Sequence, residues 1–144
     1  MADSTSGVKA GQEILGKPFT MTLEKMCLFS AWPGMERYGL DPVNHHTSVE
    51  VARQLGRPAP IVPGLQLSSY IEELLIQAFG TFWLTSGKLG VSYLGVVVAG
   101  DTVQPKARVV GFFDEQGGTG VKLEVSVENE RGSVVVAGTA SLVL

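Results

Sequence analysis

"GLQLSSYIEELLIQAFG", residues 64–80, is the stretch whose reading decides the fold. Leu67, Ile71, Leu74, Leu75 and Ala78 fall at helical spacing, and Gly80 supplies a stop. Tyr70, Ile76 and Phe79 carry the apolar surface around much of the circumference. A helix apolar on so many sides is expected to be wrapped by protein rather than laid on a surface. Pro63 fixes φ just ahead of the run, so the helix is expected to open at Gly64.

Downstream the period changes from helical to two. In "VKLEVSVEN" (121–129) Val121, Leu123, Val125 and Val127 alternate with Lys122, Glu124, Ser126 and Glu128. That is a strand with one buried and one wet face. "TVQPKARVVGFF" (102–113) alternates too, with Pro105 pointing to an edge or a bulge. "KLGVSYLGVVV" (88–98) reads as the first strand of the set and "GSVVVAGTASLVL" (132–144) as the last. "AGD" at 99–101, "DEQGGTG" at 114–120 and "NERG" at 129–132 are the turns between them. Gly117, Gly118 and Gly120 therefore belong to a hairpin and not to a phosphate loop, since no helix follows. An antiparallel sheet curled round a long central helix resembles the hot-dog arrangement, in the α+β class. The domain is expected over residues 12–144, behind a flexible tail at 1–11.

Composition sets the outer bounds. A length of 144 residues fits one domain with a real core, and 44% apolar against 17% charged residues argues against extensive disorder. A net charge of −3 does not suit a nucleic-acid surface. No apolar run reaches membrane-spanning length, and the polar N-terminus lacks the apolar core of a signal peptide. The single Cys27 excludes an internal disulfide and fits a reducing, cytoplasmic setting. It sits in the apolar run "KMCLFSAW", where a buried inert thiol is expected.

The chemistry gathers in "LDPVNHHTSVEVARQLGRPAPIVPG", residues 40–64, which holds both histidines of the chain. Thr47 and Glu50 are spaced as a capping box, predicting a helix to about Leu55 with Gly56 closing it. His46 would then be the N′ residue, stapled to Val51 and held by the capped turn. Taken singly, Asp41 is a turn-opening Asp-Pro acid and His46 a polar residue ahead of a cap. Taken together, an acid and an imidazole five residues apart can converge on one water molecule. The free amides at Gly64 and Leu65 can hold a developing oxyanion.

These residues resemble those of the MaoC-like acyl dehydratases, which include the (R)-specific enoyl-CoA hydratases. The family signature runs Asp-x-Asn-Pro-x-His-x-Asp, with an alanine four residues on and Ile-x-His-Gly opening the central helix. Asp41 and His46 fall on its first acid and its histidine, Ala52 and Gly56 on small helix positions, and "PIVPG" (60–64) on the helix opening. "GKLGVSYLGVVVAGDTV" (87–103) is similar to the stretch that follows. The chain departs from the pattern in three places: Asn44 is shifted by one, Ser48 stands at the second acid, and Pro63 replaces the later histidine. "WPGMERYGL" (32–40) and "NHHT" (44–47) resemble a subgroup with an Asn-x-His-Thr motif.

The resemblance implies reversible addition of water to a trans-2-enoyl thioester, carried by coenzyme A or an acyl-carrier protein. Asp41 and His46 would be the acid/base pair, Asn44 an orienting residue, and the Gly64 amide, beside that of Leu65, the oxyanion donor. It also implies edge-to-edge pairing into a homodimer or higher homo-oligomer, with the pocket between subunits. No cofactor beyond the thioester carrier is expected. Adjacent histidines without a second ligand cluster suit no metal, and neither a nucleic acid nor a membrane is expected as partner. A cyclase, isomerase or ligand-binding module on the same scaffold stays open, as does a thioesterase using Glu72 or Glu73. Trp32, Trp83, Phe82 and Tyr93 read as core or pocket wall.

Overall fold

The computed structural model describes residues 7–144, so the N-terminal part of the expected tail lies outside the described residues. In its described part Val8 packs against the core and Gly11 donates to the Val109 carbonyl. The elements run β1 (Glu13–Leu15), β2 (Phe19–Thr20), α1 (Leu23–Ser30), a 3-10 turn (Met35–Tyr38), α2 (Val49–Gln54), α3 (Gly64–Phe79), α4 (Thr81–Ser86), β3 (Lys88–Tyr93), β4 (Thr102–Glu115), β5 (Gly118–Asn129) and β6 (Val134–Val143).

One antiparallel sheet has the order β1-β4-β5-β6-β3, with β2 pairing the outer edge of β4 beyond β1. The β4, β5 and β6 strands form the expected meander, and Gly117, with φ of 98°, makes the first turn. The strand expected over 88–98 ends at Tyr93, and it pairs with β6 instead of its sequence neighbour β4. Leu94 and Gly95 still donate to the Val135 carbonyl of β6; the chain then runs beside the segment that leads into α3, where Val62 donates to the Val97 carbonyl and Ile61 bridges to Val98.

Pro105 occupies neither an edge nor the bulge, which falls between Val109 and Gly111. Its missing N–H is accommodated in a gap: β1 ends opposite Lys106 and β2 begins opposite Val103. Each strand turns one face inward, so Val109, Val121, Leu123 and Val127 are buried. Against them lie Leu67, Ile71, Leu74 and Leu75 of α3, the predicted helix stripe. Ala78 is exposed, as are Ile76 and Leu65, so α3 is enclosed by the sheet on one side and bare on another within the single chain. No helix of the described residues is long and apolar enough to cross a membrane.

Candidate active site

Residues 40–48 fold into a compact turn organised around Asn44. Asp41 Oδ1 accepts from the Val43 amide at 2.8 Å, the Asx turn expected of an Asp-Pro opening. Asn44 Nδ2 donates to the Asp41 carbonyl at 2.8 Å, and its Oδ1 accepts from the His46 amide at 2.9 Å. Thr47 is not the cap of α2. Its hydroxyl donates to the Pro42 carbonyl at 2.6 Å and accepts from the Asn44 amide at 3.0 Å, so the loop consumes it. Ser48 caps instead, accepting from the Val51 amide at 3.3 Å. His46 is therefore two residues before the cap, and Glu50 faces Gln54 rather than closing a capping box. Gly56, with φ of 73°, ends the helix as expected.

The loop nevertheless fixes His46, through a partner far along the chain. Its Nδ1 lies 2.7 Å from the carbonyl oxygen of Ile61. A carbonyl only accepts, so Nδ1 carries the proton, and Nε2 of the neutral ring keeps its lone pair. Ile61 is held in turn: its amide donates to the His45 carbonyl at 3.0 Å, and it bridges to Val98. Flanking bonds run from Val62 N to Val97 O at 2.8 Å and from Ala99 N to Pro60 O at 3.0 Å. Behind them Asp101 is buried. It accepts from the Val98 amide at 3.1 Å and pairs with Arg131 at 3.3 Å.

Three residues beyond Ile61 the central helix begins. Pro63 is its N-cap without a side-chain cap bond, and no acid lies in the first turn. The amides of Gln66 and Leu67 turn back to the Pro63 carbonyl, while those of Gly64 and Leu65 make no hydrogen bond among the described residues. Two unpaired donors at the positive end of a 16-residue helix form an anion-attracting spot.

Not every expected residue joins this arrangement. The Asp41 carboxylate makes neither a hydrogen bond nor an ion pair with His46; it is exposed, and one oxygen serves its own turn. The neighbour that does touch His46 is His45, whose ring centroid lies 4.0 Å away at a 51° tilt. The His45 pKa is lowered by burial first, then by the charges His46 and Arg57 can carry. Glu72 accepts from the Trp83 indole at 2.6 Å, and Glu73 accepts from Gln77 and pairs with Lys17, so both carboxylates have structural partners. Cys27, partly buried on α1, directs Sγ toward the Thr47 carbonyl at 3.9 Å.

Sequence reasoning missed the roles of Ile61 and Asp101. Ile61 acts through its carbonyl, which no side-chain pattern marks; the "AGD" signal did reveal a turn, though not what that turn supports.

No family model and no curated protein matches the chain. Solved structures do. A monoamine oxidase regulatory protein from Archaeoglobus fulgius is 25% identical with a TM-score of 0.73, over 95% of this chain and 90% of that one. An (R)-hydratase from A. caviae involved in PHA biosynthesis is 20% identical with a TM-score of 0.75, over 96% and 98%. A MaoC-like dehydratase from Rhodospirillum rubrum is 17% identical with a TM-score of 0.74, over 95% and 92%. With its single antiparallel sheet and central helix, the chain has the hot-dog fold of the MaoC-like dehydratases and (R)-hydratases that are its structural neighbours.

Proposed function

We propose that the protein is a hydratase or dehydratase that adds or removes water across the C2–C3 double bond of an enoyl thioester. The observation that carries this reading is the anchored imidazole: His46 presents a lone pair at Nε2 while Nδ1 is tied to Ile61, three residues before the unpaired amides of Gly64 and Leu65.

In the hydration direction Nε2 takes one proton from water as its oxygen bonds to C3. The C2–C3 electron pair moves toward the thioester oxygen, which the Gly64 and Leu65 amides stabilise. A proton then returns to C2, so one water is added overall and no redox cofactor is required. Asn44 positions His46 through its backbone amide. Asp41, whose exposed carboxylate makes no contact with His46 within the single chain, would act through the oxygen its turn does not use, as a second proton-handling group reaching the thioester rather than the imidazole.

The carrier is coenzyme A or an acyl-carrier protein, and the assembly is a homodimer formed along β3, whose second edge is unpaired among the described residues. The exposed Leu65 and Ile76 on α3 also favour a second copy. The lone cysteine is consistent with a cytoplasmic setting. Incubation with a series of 2-enoyl-CoA thioesters tests the activity, hydration being read as loss of the conjugated ultraviolet absorbance. No turnover of any chain length would overturn it.

A further inference from the structure

We propose that Tyr93 is the wall that decides which enoyl thioesters reach the α3 amides, admitting those unbranched at C2 and excluding those with a methyl group there. The inference rests on the hydration reading above and names the substrate class for it.

The ring of Tyr93 packs against Gly64. A Cβ added there would lie 2.9 Å from Cε1, 3.0 Å from Cζ and 3.1 Å from Cδ1 of Tyr93. The phenol ring therefore occupies the space beside the Gly64 Cα, and only glycine lets it come so close. Tyr93 is the last residue of β3 and 49% exposed within the single chain, so packing inside one chain does not account for its position; in the homodimer proposed above it lies at the end of the seam strand. Its hydroxyl is 3.1 Å from Ser68 Oγ, and Ser68 Oγ donates its own proton to the Leu65 carbonyl at 3.2 Å. The two hydroxyls share one hydrogen bond, whichever of them donates. The ring is thus held at both ends, by the strand at its backbone and by Ser68 at its tip.

A thioester oxygen bound by the Gly64 amide sits about 2.9 Å from that nitrogen, which brings the carbonyl carbon within about 4 Å. C2 is one bond further. Tyr93 borders the same residue, and in this proposal the substituents on C2 face its ring. A hydrogen passes; a methyl group meets a wall that Ser68 and β3 prevent from swinging away. Discrimination over one methyl group in a packed pocket is about 10- to 200-fold.

The test compares crotonyl-CoA with its 2-methyl analogue, tiglyl-CoA, in the intact protein and in Tyr93→Phe, Tyr93→Leu and Tyr93→Ala, with binding of saturated butyryl-CoA measured alongside by calorimetry. The intact protein is expected to favour crotonyl-CoA by at least about tenfold in kcat/KM, and Tyr93→Phe to keep that ratio within about threefold. Tyr93→Ala and Tyr93→Leu should lower the ratio at least about tenfold by gaining on tiglyl-CoA. A merely structural tyrosine would depress both substrates alike and leave the ratio unmoved, which overturns the proposal. Tyr93→Leu gives the same reading if Tyr93→Ala fails to fold. If the intact protein hydrates crotonyl-CoA and binds butyryl-CoA but the ratio ignores position 93, this inference alone falls. If it does neither, the hydration reading falls and takes this one with it.

Discussion

His46 is joined to Ile61 by a 2.7 Å hydrogen bond from ring Nδ1 to backbone oxygen, across fifteen residues of chain. The bond fixes the tautomer and ties the imidazole to the segment that leads into α3. Because Ile61 also donates to the His45 carbonyl, the contact is two-sided and resists rotation of the loop.

Asp101→Ala should loosen that segment from behind. It removes the acceptor for the Val98 amide and leaves Arg131 without its buried partner. Arg131 is exposed, so the ion pair itself contributes little; losing the buried acceptor costs about 1–3 kcal/mol. Urea unfolding measures this. A change below about 0.5 kcal/mol would show that residues 97–99 hold α3 without Asp101.

Gly64→Ala should strain the contact with Tyr93, since the new Cβ falls inside the ring's van der Waals envelope. A loss of about 1 kcal/mol is expected, lowering Tm by roughly 2–4 °C. Adding Tyr93→Ala should return most of it. Unchanged melting of Gly64→Ala would mean the ring moves aside freely.

How much of this was legible in the sequence follows from the range of each interaction. The α3 stripe and the alternation of Val121 to Val127 are local patterns, and they yielded the central helix and the meander. β1 and β2 are three and two residues long, too short for a period to register, and exist because β4 offers them an edge. Thr47 and Ser48 are equally good caps by type. Only the Pro42 carbonyl, which captures the Thr47 hydroxyl, decides between them. In the site, Asp41, Asn44, His46 and Gly64 were visible as residue types. The His46–Ile61 and Gly64–Tyr93 contacts were not, because both depend on how the chain folds back on itself.

Asp41→Asn separates two roles. An asparagine side chain can still accept from the Val43 amide, so the turn and the melting temperature should hold. Turnover of crotonyl-CoA should nevertheless fall about 10²-fold, because the amide cannot exchange a proton as a carboxylate does. Full activity in this variant would reduce Asp41 to a turn residue and leave both proton transfers to His46.

Stability should also report on His45. Its pKa in the folded protein is lowered from 6.5 by burial, by His46 and by Arg57, so the unfolded chain takes up a proton first as the pH falls. The folded state is thus fully favoured above 6.5 and loses stability as acidity rises below that value, until His45 protonates in the native protein as well. His45→Gln should remove this part of the dependence in denaturation curves taken across that window. An unaltered slope would place the acid sensitivity elsewhere.

The most direct measurement is the initial rate of crotonyl-CoA hydration by the intact protein and by His46→Ala, with circular dichroism confirming that the variant folds. Measurable turnover is expected of the former and a loss of about 10³-fold of the latter, with the loss of the Ile61 bond costing only about 1 kcal/mol of stability. A folded His46→Ala protein that hydrates the thioester at the original rate would contradict the role given to His46.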